Sequence, residues 1–453
     1  MKPQQIWESP VEWSCSRGIW GLGGITLLIY TGGQILWPEV GSNAETVMAL
    51  LGLVMVLVQG KDIRRSAALW LLLAVVMVQV LAWVLGYFHH PQWVADNPQV
   101  DRLAKLFVFI AVAWWLGGST RNTLLVWGLA VAGLILASIV QGDGLQEWVR
   151  GLEGHRVGFG VRNYQHGAML FGVALLGLTV FAFRIMAPGR WRAVRVIGWC
   201  LIFLLTVIAV MIGQTRAVWL ALALSLPFVL LIWLLSMRLL GGGRLNRRLL
   251  VMGSGIALLV VLGAGTLLKG PLMERVSKES QVIDMLLEGQ IDDIPYTSIG
   301  IRIHSWQAAF EWIQERPIVG WGGTGRRLVI DHTPWLPASV KQDFGHLHNY
   351  FLEIWVAYGL IGVGVIGALA SWVGLATWRA WRGGVLPGDM ALFGAGFFLY
   401  WLVVNQFESY NSFWTGVYVH NLVVGGLVTH YWRWQQESRK TPPPAQCSSE
   451  CPQ

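Results

Sequence analysis

LIFLLTVIAVMIGQTRAVWLALALSLPFVLLIWLLS, residues 201–236, runs for 36 residues with a single charge, Arg216, near its middle. A helix that crosses a bilayer needs about 20 mostly apolar residues, so this length holds two crossings. The chain can turn between them only at GQTR (213–216), where a glycine and polar residues interrupt the apolar run. Arg216 is thereby fixed at a membrane surface or against the bundle interior. Ionisable residues in such places are costly and mark either a functional site or an arginine reaching to lipid phosphates. The stretch sets the fold class as helical and membrane-embedded.

The rest of the chain agrees. Of 453 residues, 55% are hydrophobic and 13% charged, with a mean hydropathy of +0.53, whereas soluble domains carry about 25% charged residues. About twelve spans are predicted, near 18–38, 44–59, 66–87, 103–119, 122–140, 165–183, 194–212, 217–236, 249–267, 359–378, 390–405 and 414–432. The first follows a polar start and has no small-residue cleavage site after a short apolar core, so it is read as a retained helix.

The net charge of +8 is a topology signal. Short loops such as GKDIRR (60–65) and GGGRLNRR (241–248) hold the basic excess, which places them and both termini in the cytoplasm. Nucleic acid is not an expected partner. None of Cys15, Cys200, Cys447 and Cys451 falls in a loop on the other side, so no disulfide is implied there. No internal repeat suggests the inverted halves of a transporter.

This reading divides the chain into spans one to nine (1–268), a large outside loop (269–348), spans ten to twelve (349–435) and a disordered Pro/Ser-rich cytoplasmic tail (436–453). Within the loop, TSIGIRIHSWQAAFEWIQER (297–316) has helical spacing and ends at Pro317. The loop is expected to pack over the membrane core as a partly helical lid.

Few motifs carry chemistry. GWGGTG (320–325) fits a dinucleotide pattern but follows no strand, and no Gly-Lys-Ser/Thr makes it a nucleotide loop. It reads as a turn whose N–H groups, beside Arg326 and Arg327, are able to touch phosphate. The pairs His89–His90 and Asp292–Asp293 lack ligand spacing, so neither metal nor cofactor is expected. What remains gathers on the outside face: Arg156 and Arg162 in GHRVGFGVRNYQHGAM (154–169), Arg216, Arg302 and His348. Arginine forks suit phosphate or pyrophosphate, and a nearby histidine suits general-base work. Most of the 27 tryptophans fit an interfacial belt, with Trp321 and Trp335 available to stack on sugar rings.

One stretch adds a resemblance. HLHNYFLEIWVAYGLIG (346–362) resembles the His-Asn-x9-Gly-x-x-Gly signature of the O-antigen ligase and polymerase superfamily, through His348, Asn349, Gly359 and Gly362. Arg302 and RPIVGWG (316–322) look like that family's Arg…Pro-x-x-Gly-x-Gly run. GQTRAVWLA (213–221) resembles its Ser-Arg-Gly stretch, with Thr215 and Ala217 as the departures. Arg156 to Asn163 resembles its glycine-rich Arg…Asn segment.

The resemblance implies a GT-C-like membrane glycosyltransferase in the bacterial inner membrane, with a periplasmic lid and active site. It would move O-antigen glycan from undecaprenyl pyrophosphate to a sugar of lipid A–core, with inversion and without metal. His348 would be the base, and Arg216 and Arg302 would hold the pyrophosphate. Arg156, Arg162, Asn163, Asn349 and Arg326 would bind substrate, with Asn349 orienting the imidazole or capping the next helix. His346, the competing base, is expected to point to the other side. Polymerisation of lipid-linked repeats and transfer to a protein hydroxyl use the same donor and stay open. A lipid-linked-glycan transporter would instead need charges strung through the bilayer midplane.

Overall fold

The computed structural model describes residues 7–10, 13, 15–161, 163–239, 282, 284–290 and 293–440. The predicted ninth span, Arg162, Asp292 and residues 441–453 lie outside them. Every regular element among the described residues is helical.

The helices are numbered here in chain order. They begin with α1 (Arg17–Leu36), α2 (Pro38–Gln59), α3 (Ala67–His89), α4 (Asp101–Ala104), α5 (Phe109–Leu116) and α6 (Thr120–Val140). Next come α7 (Leu145–Leu152), α8 (Tyr164–Val180), α9 (Ala182–Met186), α10 (Arg192–Ile212) and α11 (Arg216–Leu239). After the undescribed stretch follow α12 (Ser298–Glu315), α13 (Gly325–His332), α14 (Ala338–Asp343), α15 (Tyr350–Arg382), α16 (Gly388–Phe407) and α17 (Trp414–Lys440).

By length and composition, eight of these are able to cross a membrane: α1, α2, α3, α6, α10, α11, α15 and α16. The turn predicted in 213–216 separates α10 from α11. Three more predicted spans are helical without meeting that standard. The sixth is α8, apolar but 17 residues long. The twelfth, α17, carries His420, Asn421 and His430, yet Thr415 to Trp432 are buried without a break. A helix buried all round belongs at the centre of a bundle, and Gly425 and Gly426 let Val112 and Trp127 approach it closely.

The fourth predicted span is broken, and Asn421 of α17 explains why. Its Oδ1 accepts from the Phe109 N–H at 3.0 Å and its Nδ2 donates to the Lys105 carbonyl at 2.9 Å. The amide thus satisfies backbone groups freed where a 3₁₀ turn, Lys105–Phe107, interrupts the segment. The tail expectation needs one correction. Residues 436–440 continue α17 as helix, because it runs on to Lys440 with Arg433 paired to Glu437 one turn ahead.

The lid has its own small core. Thr297 caps α12 through the Gly300 N–H, and Ala308, Trp312 and Ile313 pack with Trp321, Leu328 and Val329. Trp321 is therefore buried, with its Nε1–H donated to the Trp312 carbonyl at 2.8 Å, and is not available to stack on a sugar. Trp335 is partly exposed and donates to Glu311.

The lid joins the bundle through main chain. Helix α15 runs from Asn349 to a break at Gly359 (φ 62°, ψ −164°), a conformation open to glycine and closed to other residues. Into that break fits RPIVGWG. Leu360 and Ile361 donate to the carbonyls of Pro317 and Ile318, and Trp321 and Gly322 donate to those of Val356 and Ala357, over 2.8–3.2 Å. A Cβ on Gly359 would collide with the Ile318 backbone, whereas one on Gly364, a turn further on, meets nothing. Gly359→Ala is expected to lower stability by about 2 kcal/mol or more. Gly364→Ala should be neutral or better, and thermal unfolding of both variants in detergent checks the contrast.

Candidate active site

His348 follows a short irregular stretch and sits in the left-handed region, with φ 51°. This is uncommon for a residue with a side chain and needs surrounding structure to hold it. Several contacts do so. Asn349 caps α15 by accepting from the N–H groups of Phe351 (3.1 Å) and Leu352 (3.2 Å), while its Nδ2 donates to Gln406. On the other flank the Leu347 N–H donates to Glu353 and the Leu347 carbonyl accepts from Trp306. Asn349 makes the expected cap, a role compatible with orienting the imidazole.

The held imidazole meets a carboxylate. His348 Nδ1 lies 2.9 Å from Glu408 Oε2, and His346 Nε2 lies 2.9 Å from Oε1. Glu408 ends α16, is wholly buried, and also accepts from the Ser409 N–H at 3.1 Å. His346 thus does not point away. Residues two apart on non-helical chain share a face, and the two rings stand 4.0 Å apart.

Burial opposes ionisation of Glu408, but the hydrogen bonds from His346 and His348 outweigh it and hold the carboxyl well below its usual range. Burial pushes the His348 imidazole down from 6.5, against the pull of Glu408. The combination favours a neutral ring whose Nδ1–H points at a carboxylate. That tautomer leaves Nε2 as the basic nitrogen. The same three side chains bring ligand atoms within 4.8 Å of one another, a nitrogen and oxygen set that also suits a borderline divalent cation such as zinc. Sequence spacing gave no hint of that set.

One arginine faces this dyad from another element. Arg302, on α12, makes a long 3.5 Å contact from Nη2 to Gln165, and its buried Nε–H has no partner among the described residues. Burial lowers its pKa while Glu408 and Tyr410 pull it back up. A partly buried guanidinium with an unfilled N–H is suited to receive an anion. Tyr410 links the parts: its hydroxyl donates to the Gln165 carbonyl, and burial and Glu408 raise its pKa well above 10.0 while Arg156 and Arg302 lower it.

Arg156 binds the Gly213 carbonyl and the Thr215 hydroxyl, immediately before Arg216 opens α11, and lies over the Tyr164 ring. Its loop is shaped by the buried Glu147, which accepts from the N–H groups of Gly158, Phe159 and Gly160. Asn163 caps α8, presenting Tyr164 and Gln165.

Arg156, Asn163, Arg302 and His348 are therefore gathered around Tyr410 and Gln165, with Arg216 next to the turn that Arg156 grips. Arg326 goes elsewhere. It pairs with buried Glu353 at 3.0 Å, and its neighbour Arg327 pairs with Asp331. Glu408, Glu353, Tyr410 and Gln165 were missed. A lone acid in NQFESYNS, between two apolar spans, was the available signal for Glu408. Beside this region runs an apolar groove of about 1940 Å³ between α8, α10, α11, α15 and α16, with Tyr350, Asn405 and Asn411 among its lining.

Residues 201–367 match the family model described as O-antigen ligase. That segment holds Arg216, Arg302, His348 and the Gly359 break. A protein of Haemophilus influenzae described as uncharacterized is 39% identical over 70 residues, which is 15% of this chain and 17% of that protein. This chain therefore covers less than a fifth of that relative's length.

The cap that places His348 is separable from its chemistry. Asn349→Ala should cost about 1 kcal/mol of stability, and Asn349→Asp, which keeps the capping oxygen, only a fraction of it. Thermal unfolding of the two variants measures the difference.

Proposed function

We propose, from the match of residues 201–367 to the O-antigen ligase family model, that this protein belongs to the O-antigen ligase/polymerase superfamily and is an inverting glycan ligase. It transfers O-antigen glycan from undecaprenyl pyrophosphate to a sugar of lipid A–core, at the periplasmic face of the bacterial inner membrane. The observation that carries this reading is the buried Glu408–His348 pair beside a guanidinium whose Nε–H is unfilled among the described residues.

The acceptor hydroxyl gives its proton to His348 Nε2, and its oxygen forms the new bond to the anomeric carbon. The old bond from that carbon to the pyrophosphate oxygen breaks, and the electron pair leaves with the pyrophosphate. Attack from the face opposite the leaving group inverts the anomeric centre. Glu408 keeps the ring in the productive tautomer and stabilises the imidazolium that forms, as an acid behind a histidine base does elsewhere. Arg302 and Arg216, with Arg156, meet the charge that grows on the leaving group. Pyrophosphate is a good leaving group, so paired arginines serve where other transferases use a divalent cation. The apolar groove offers the polyprenyl tail a path beside α15 and α16.

The test is transfer by purified protein in nanodiscs with lipid-linked glycan, lipid A–core and a metal chelator. Core-linked glycan is the expected product. His348→Ala and Glu408→Gln should each slow its formation by about 10²–10⁴-fold. Lengthened lipid-linked glycan would replace the ligase reading with a polymerase, and no product from folded protein would overturn both.

The pH profile has a predicted sign. The base works as neutral imidazole, and burial holds its pKa below 6.5. The rate should therefore stay level through neutrality and fall only as pH drops below 6.5.

A further inference from the structure

A second polar cavity, of about 230 Å³, lies on the far side of Glu353 from Glu408. Its lining includes Arg102, Lys105, Arg326, Tyr350 and Tyr358. Glu353 is the partition. One carboxylate oxygen takes the Leu347 N–H and the Ser409 hydroxyl on the His348 side. The other takes Arg326 and the Ser412 hydroxyl on the cavity side.

Three cations thus face one space, and Glu353 already accepts four donors. The other acid in the lining, Asp101, is exposed at the rim, and Glu45 acts on Lys105 from outside the lining. Among the described residues, the Lys105 ammonium makes only a 3.4 Å contact to the Ser412 carbonyl, and the Arg102 guanidinium makes no hydrogen bond or close ion pair. The second observation is independent of charge. The hydroxyls of Tyr350 and Tyr358, residues 1% and 2% exposed, are both buried without a hydrogen-bond partner among the described residues. Buried polar groups are almost always paired, so each orphan calls for an explanation.

Cationic forks, an ammonium and two phenol donors around one cavity match an acceptor-rich anion. A carboxylate has two oxygens, whereas a phosphoryl group offers three to several donors at once. We propose that this cavity binds a phosphoryl group distinct from the donor's pyrophosphate. In the ligase reading, on which the assignment of its source rests, that group belongs to the acceptor lipid.

The experiment is equilibrium binding by native mass spectrometry, on the full chain in detergent, without donor. The probes are a phosphorylated glycolipid acceptor and the same lipid after phosphatase treatment. The parent should lose about tenfold or more in affinity when the phosphates are removed. Arg102→Gln and Lys105→Gln should abolish that difference while leaving binding of the dephosphorylated lipid unchanged, and Lys105→Arg should restore much of it. His348→Ala should retain the full difference.

Equal binding of both lipids by the parent would overturn the proposal, as would an equal loss for both lipids in the Gln variants. Phosphatidylglycerol that displaces the lipid would identify bulk phospholipid as the phosphoryl source, and failure to displace it would identify the acceptor. Phosphate-dependent binding without any core-linked glycan from the parent would sink the ligase reading and leave the cavity's assignment standing.

Discussion

Four backbone hydrogen bonds between residues 317–322 and 356–361 tie everything else together. They exist because Gly359 takes a conformation closed to other residues and leaves helix carbonyls and N–H groups for another strand of chain to satisfy. The lid is consequently docked through main chain, which side-chain variation does not easily undo. Arg302, carried on α12, reaches the site through this joint, and His348 reaches it from the other arm of the same joint. A guanidinium and an imidazole far apart in sequence are thus placed by one piece of backbone geometry.

The second organising constraint is electrostatic. Two wholly or nearly buried carboxylates, Glu353 and Glu408, stand at the head of the bundle. A buried charge is tolerated only when its hydrogen-bonding capacity is filled. Glu408 fills it with two imidazoles and a backbone N–H, and Glu353 with an arginine, two serines and a backbone N–H. These sets lock the loop after α16 to the loop before α15. The expense of burying the acids is offset by the rigidity they impose on His348.

Much of this was legible in the sequence. Apolar run lengths located α1 to α3, α6, α10 and α11, and the break in the run at 213–216 located the turn beneath Arg216. Helical spacing and Pro317 bounded α12 within a residue or two. Periodicity failed where burial came from the interior of the bundle. The fourth segment looked like one span, because its break depends on Asn421, over 300 residues away. Glu408 escaped for a related reason: one acid in a short loop has no pattern until the fold sets it against two histidines. Arg326 looked like a phosphate ligand of the main site because of its neighbours in sequence, but Glu353 claims it for the next compartment.

The nine residues between Asn349 and Gly359 can be read as a length. A helix rises 1.5 Å per residue, so they set the imidazole about 14 Å from the break. From the break to Arg382, helix α15 spans about 34 Å, slightly more than a bilayer's hydrocarbon thickness of about 30 Å. The helix thus works as a gauge with one graduation. Its lower part is long and apolar enough to cross a membrane, and its upper part sets the distance from the break to the His348 imidazole. One residue more or less in that interval would change the height by about 1.5 Å and swing His348 by about a quarter turn around the axis. Glu408, anchored on a different helix, would then no longer find its partner. The fixed spacing is a tolerance on distance, set by the gap between the Gly359 break and a carboxylate.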